Sequence, residues 1–87
     1  MRIDKFLNAV NITKRRAVAE DMLEHKVVHI NGMPVKKAKE VKVGDLIEIK
    51  YLDYTEEYKV LQIPQTKSTP KSKQLEYIEK LKGRDDV

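Results

Sequence analysis

The hydrophobic period changes from helical to alternating at Val27, and that change limits the fold more than any other feature. In the first part, apolar side chains recur at helical spacing. Ile3, Phe6, Leu7 and Val10 stand at i, i+3, i+4 and i+7, and Val18, Ala19, Met22 and Leu23 form a second such stripe. From Val27 the period is two, with Val28 and Ile30 on one side and Val27 and His29 on the other, and Asn31-Gly32 then supplies a tight hairpin turn. Two helices followed by short strands predict an α+β fold, in which a two-helix hairpin covers one face of a small, mostly antiparallel sheet.

The helices carry the charge anomaly. The first, with Asp4 in its opening turn and Arg2, Lys5 and Asn8 away from the apolar stripe, suits the helix dipole. Asp4 either favours that helix start or positions Arg2 or Arg16. Asn11-Ile12 reads as a short corner. Thr13 is the expected N-cap of a second helix running from about Lys14 to His25. Its opening holds Lys14, Arg15 and Arg16, three cations at the end of a helix that favours anions, each costing ~0.3–1 kcal/mol. A local rule broken three times points to a gain from outside the chain, and the simplest is a phosphate held by free N–H groups and these side chains. At the other end of this helix Lys26 occupies the left-handed C′ position usually given to Gly, so the cap is non-ideal or costs ~1–2 kcal/mol.

Beyond the hairpin, Pro34 cannot donate to a ladder, so the strand around Met33 to Val35 is an edge or a short one. Lys36, Lys37, Lys39 and Lys42 form a basic loop that on its own reads as solvated. Lys36 and Lys37 are nonetheless included in the candidate RNA-binding surface. Val43-Gly44-Asp45 is a turn into a half-buried strand from Leu46 to Leu52, and residues 58–63 form its antiparallel partner after a polar connection at 53–56. Tyr51, Tyr54, Tyr58 and Tyr77 read as packing residues rather than base-stackers. Residues 64–73, with two prolines and three lysines, read as an extended basic linker. After it, Ser72 can cap a short helix bearing Leu75, Ile78 and Leu81, with a Glu76–Lys80 pair and Gly83 as its stop. The expected organisation is therefore a domain at 1–63 and a tail at 64–87, removable from residue 65 without unfolding the rest.

Composition excludes several function classes. Eighty-seven residues bury only ~60% of the surface their unfolded chain exposes, leaving no room for a catalytic domain. With no cysteine there is no disulfide frame, thiolate nucleophile or thiolate metal site. His25 and His29 fall on either side of the helix-to-strand break, so they do not form a ligand pair on one helical face. No Gly-rich phosphate loop, nucleophile elbow or paired-carboxylate motif occurs, and neither an enzyme nor a cofactor is expected. Arg2, Asp4 and Lys5 interrupt the N-terminus, so neither a secretory segment nor a membrane partner is expected, and the location is cytoplasmic. The net charge of +4 lies wholly in residues 1–45, with ten Lys or Arg against six acids, while residues 46–87 balance at eight against eight. One basic face is the consequence.

Four segments, Arg2-Ile3-Asp4-Lys5-Phe6-Leu7, Lys14-Arg15-Arg16-Ala17, Val28-His29-Ile30-Asn31-Gly32 and Val43-Gly44-Asp45-Leu46-Ile47, resemble in order the RNA-binding domain named after small-subunit ribosomal protein S-four. The resemblance covers residues 1 to about 52. It implies a helix pair that presents a basic surface to structured RNA. Among stand-alone members the chain is most similar to the RqcP group of ribosome-associated quality control and to its relative, the fifteen-kilodalton heat-shock protein. That similarity implies binding to rRNA and peptidyl-tRNA on large ribosomal subunits left after a stalled ribosome splits. It also implies support for the C-terminal tailing of the nascent chain, with RqcH as a candidate partner, by a protein expected to be a monomer. The ending Gly83-Arg84-Asp85-Asp86-Val87, in place of a longer basic extension, favours this role over heat-shock recycling. Carried over by position, Arg2, Asp4 and Arg16 are the main contacts or positioners, with Lys5, Lys14 and Arg15 in support; Thr13, Lys36 and Lys37 complete the candidate RNA-binding set. The competing class is a helix-turn-helix DNA-binding protein with the hairpin as a wing. Glu20, Asp21 and Glu24 speak against it, since they would meet phosphates in a groove. A protein-interaction module with merely solubilising charges is a third reading, and it predicts no affinity for nucleic acid.

Overall fold

The computed structural model describes residues 1–82. Helix α1 spans Ile3–Ala9 and α2 spans Arg16–Glu24. The strands are β1 Val28–Ile30, β2 Met33–Pro34, β3 Leu46–Lys50, β4 Thr55–Val60 and β5 Ile78–Lys82, with a 3-10 turn at Lys71–Lys73 and one helical turn, α3, at Gln74–Tyr77. The strands form a single sheet in the order β2-β1-β3-β4-β5, each neighbouring pair antiparallel. The α+β class and the helix pair on an antiparallel sheet are as the sequence predicts.

The core lies between the layers. Ile3, Phe6, Leu7 and Val10 of the first stripe, with Ala19 and Leu23 of the second, are buried against Val28, Ile30, Ile47, Ile49, Tyr58 and Val60. Register follows from the period of two. Val28 faces Ile49 and Ile30 faces Ile47 across β1 and β3, which puts all four on the covered side. Asn31 at φ 52 and Gly32 at φ 86 make the left-handed pair that a two-residue hairpin requires. β2 is the edge strand that Pro34 demands.

Several expectations need correction. The second helix starts at Arg16 rather than Lys14, and its N-cap is Arg15 with no side-chain cap bond. Thr13 is not the cap because α1 claims the intervening chain. The N–H groups of Ile12 and Thr13 both donate to the Leu7 carbonyl, at 3.0 and 3.1 Å, and Asn11 takes φ 66 at the C′ position. Thr13 is thereby drawn into the interior, where its hydroxyl has no partner among the described residues. Lys26 adopts the left-handed conformation itself, at φ 59. Its N–H reaches Leu23 O at 3.1 Å and the Val27 N–H reaches Met22 O at 2.9 Å, a complete Schellman closure with lysine at the glycine site.

The tail differs most. α3 is a single turn, and Ile78–Lys82 is a strand that pairs with β4, Val60 opposite Ile78 and Lys59 opposite Glu79. Ile78 is in the core, whereas Leu75 and Leu81 are exposed, so the three do not form one helical stripe. Ser72 caps nothing, and Lys80 pairs with Glu56 at 3.7 Å rather than with Glu76. The proposed stop at Gly83 lies outside the described residues. The reason is non-local: β4 offers an open edge, and satisfying its N–H and C=O groups outweighs a weak local helical preference. The stretch before β5 is also held. Thr69 donates through its N–H and Oγ1 to the Ala9 carbonyl at 3.0 and 2.8 Å, Asn11 Nδ2 donates to Thr69 O at 2.9 Å, and Gln74 Nε2 donates to Val10 O at 2.9 Å. The Thr69 and Gln74 bonds occupy carbonyls at the end of α1, and the Asn11 bond ties the Thr69 carbonyl back to the same corner.

Candidate nucleic-acid interface

Asp4 is the centre of the basic face. Its place in the first turn of α1 turns it inward, where it is fully buried, and a carboxylate there requires partners. It has three. Arg2 Nη2 donates to Oδ2 at 3.0 Å, Arg16 Nη2 donates to the same oxygen at 3.2 Å, and the Lys5 N–H donates to Oδ1 at 2.9 Å. Both arginine side chains keep substantial exposure, 37% for Arg2 and 46% for Arg16. The carboxylate therefore holds two half-exposed guanidiniums side by side, one from each helix start. Arg2 Nε is buried with no partner among the described residues, and the exposed parts of both groups keep N–H donors beyond those given to Asp4. The triad carries a net charge of about +1 and has the planar donor geometry suited to phosphate oxygens.

The other predicted residues fall around it. Lys5, Lys14 and Arg15 are exposed, and none forms an ion pair among the described residues. The helix-start anomaly is narrower than the sequence implied. Arg16 is compensated by Asp4, leaving Lys14 and Arg15 beside an uncapped helix end with no acidic residue in its first turn. Thr13 is buried behind them and has no exposed face to offer a ligand. The lysines of the loop from Lys36 to Lys42 are exposed, as expected, but its backbone is docked. Ile3 N–H donates to Lys39 O at 2.7 Å, Val41 N–H to Met1 O at 2.9 Å, and Arg2 bridges to Glu40 as in an antiparallel pair. This brings Lys36 and Lys37 to the same side as Arg2, with Lys37 Nζ 3.9 Å from Glu20. Sequence reasoning missed Glu20 as a tether for that loop. The available signal was its place one turn after Arg16, on the helix edge that faces the loop.

The aromatic residues lie elsewhere and are already engaged. Tyr51 and Tyr54 stack at 4.6 Å between centroids beyond the end of β3. Burial together with Glu56 pushes the Tyr51 hydroxyl up to about 12, and the same causes raise Tyr58 still further. Both therefore remain protonated donors toward Glu56 at any physiological pH. His25 ends α2, its ring nitrogen 2.8 Å from the Asp21 carbonyl, and that bond with the Asp21 carboxylate raises its pKa. On α2 itself, Asp21 and Glu24 are exposed past the first turn. The acids therefore remain on the helix that a DNA-reading protein would insert, and the cations gather at its start.

A cationic surface built from the first turns of two helices that meet at Asp4 and from a docked basic loop is now defined, and the S4 domain model matches residues 1–47, more than half of the chain. The chain belongs to the S4 domain family. Among similar members, the RQC P-site tRNA stabilizing factor of Helicobacter pylori is 49% identical over 78 residues, covering 90% of this chain and 93% of that protein. The Heat shock protein 15 homolog of Aeromonas salmonicida is 35% identical over 79 residues, covering 91% of this chain but 60% of that protein. Two solved structures superpose with TM-scores of 0.82. The Solution Structure of hypothetical protein, HP1423, is 46% identical and covers 95% of this chain and 99% of its own. The trimeric Heat Shock Protein 15 of Vibrio cholerae is 25% identical and covers 92% and 80%. This S4 domain chain thus has the fold and the RNA-binding class that its motifs imply. Among its described residues, no helix is long and apolar enough to cross a membrane.

Proposed function

We infer that this chain is a non-enzymatic, cytoplasmic factor of ribosome-associated quality control. It binds rRNA and tRNA on large ribosomal subunits that still carry peptidyl-tRNA, and it supports the C-terminal tailing of the nascent chain by RqcH. The observation that carries the reading is the pair of arginines, Arg2 and Arg16, held on one buried carboxylate and flanked by Lys14 and Arg15, which have no ion-pair partner among the described residues. Such a surface suits two phosphate chains meeting at an angle, as where a tRNA approaches rRNA, better than it suits one groove of a regular duplex. Relatedness favours the same role over subunit recycling of the heat-shock type. The match spans nearly all of the Helicobacter pylori tRNA stabilizing factor and only 60% of the Aeromonas salmonicida heat-shock homologue. We take the active species to be a monomer. The trimeric state belongs to the Vibrio cholerae protein.

Binding led by phosphates has a salt signature. With four to six contacts, log affinity for purified large subunits falls linearly against log salt with a slope of about −0.7 to −0.9 per contact. Titration of labelled protein against subunits at several salt concentrations checks this. A flat dependence contradicts a phosphate-led interface.

A further inference from the structure

The cost at Lys26 is not absorbed by anything described so far. Lysine occupies a left-handed position, φ 59, where glycine fits without strain, and its ammonium has no ion-pair partner among the described residues. What the side chain does is line a groove of about 620 Å³ between α2 and the edge of the sheet. Leu23, Val35 and Pro34 supply its apolar lining. Lys26, Lys36 and Lys37 supply cations around it, and Glu20 and Glu24 supply carboxylates from the helix side. The groove is also continuous with the basic face. Glu20 is one helical turn, ~5.4 Å, beyond Arg16, and the Lys37 carbonyl accepts from the Asp4 N–H at 3.5 Å.

We propose that this groove takes a single unpaired nucleotide of the RNA bound at Arg2 and Arg16. The inference rests on the RNA-binding reading above. The apolar lining receives the face of the base, the lysines hold its flanking phosphates, and Glu20 or Glu24 accepts from an exocyclic amine, as carboxylates do from cytosine and adenine. The volume is ample for one nucleotide within the range of ligand pockets. An acidic peptide would offer Glu20 and Glu24 only its own carboxylates, whereas a nucleotide can turn its phosphates to the lysines and an exocyclic amine to the carboxylates.

Two measurements test this on the full chain. The first is Lys26→Gly. Relief of the left-handed strain leaves Tm unchanged or raises it by up to about 4–8 °C. Affinity for purified large subunits falls about five- to tenfold, and the salt slope drops by about 1. Undiminished affinity overturns the proposal. The second places a photo-crosslinking residue at Lys36, with Lys59 on β4 as control, and maps adducts on the same subunits. The expected adduct at Lys36 is to a nucleotide that is unpaired in the subunit. Adducts only to base-paired nucleotides, only to a protein, or none at all overturn it. Arg15→Glu separates this proposal from the one it rests on. If that variant loses binding while both groove tests fail, the groove alone is wrong. If it too binds normally, the RNA face is wrong as well.

Discussion

Arg16→Glu is expected to unfold more readily than the parent and to lose ribosome binding, whereas Arg15→Glu loses binding alone. Judged by charge alone, an acid near the start of α2 ought to suit the helix dipole, and for Arg15 that holds. Its side chain is exposed and has no ion-pair partner among the described residues, so reversing its charge gains ~0.3–1 kcal/mol from the dipole, and Tm stays level or rises. Arg16 differs because it neutralises the buried Asp4. A glutamate there sets one carboxylate toward another that cannot reach water. Breaking a buried pair costs ~3–5 kcal/mol, and the partial exposure of Arg16 reduces that to roughly 2–3 kcal/mol. At about 4–8 °C per kcal/mol for a domain of this size, the melting point falls by about 10 °C or more. Binding by Arg15→Glu falls well over tenfold, since a charge-assisted contact worth ~1.5–3 kcal/mol becomes a repulsion. Calorimetry and subunit pelleting on the two variants separate the roles. Equal stability of the two would mean that Arg16 does not support the carboxylate.

The second large effect concerns the tail. Deleting residues 65–87 removes β5, strips the Thr69 and Gln74 bonds from the end of α1 and opens the edge of β4. Ile78 is 1% exposed within the core, and Ile78→Ala alone is expected to cost ~2–5 kcal/mol. That is a large fraction of the ~5–15 kcal/mol that stabilises a typical domain. The truncated chain should therefore lose its cooperative transition in circular dichroism, and Ile78→Ala should shift the urea midpoint well below that of the parent. A truncated chain that retains a sharp transition would support the domain boundary at residue 63.

These two cases mark where local pattern was sufficient and where it was not. The helix stripes, the Asn31-Gly32 turn and the edge position of Pro34 were legible because each depends on neighbours within a few residues. So was the alternative role of Asp4 as a positioner, since an acid between two basic helix starts has few other uses. The start of α2 was misplaced because Thr13 has a capping side chain, yet the backbone closure of α1 on Leu7 removes it from the surface. The residues that became β5 carry Ile78 and Leu81 three apart, a helical spacing that puts them on opposite faces of a strand with only Ile78 buried, and the open edge of β4, eighteen or more residues earlier, overrides it. In the site, the side chains were legible and their coupling was not. That Arg16 is at once a stabilising partner and an outward donor follows from the convergence of two helices on one oxygen.

Sedimentation of the tagged chain with ribosomal fractions from cell lysate tests the central claim most directly. The parent chain is expected to migrate with free large subunits at low salt and to leave them as salt rises, and a folded Lys14→Glu, Arg15→Glu double variant is expected to stay at the top of the gradient. If the parent remains with the soluble proteins, or if the double variant migrates with large subunits as the parent does, the cationic face around Asp4 is not the ribosome-binding surface.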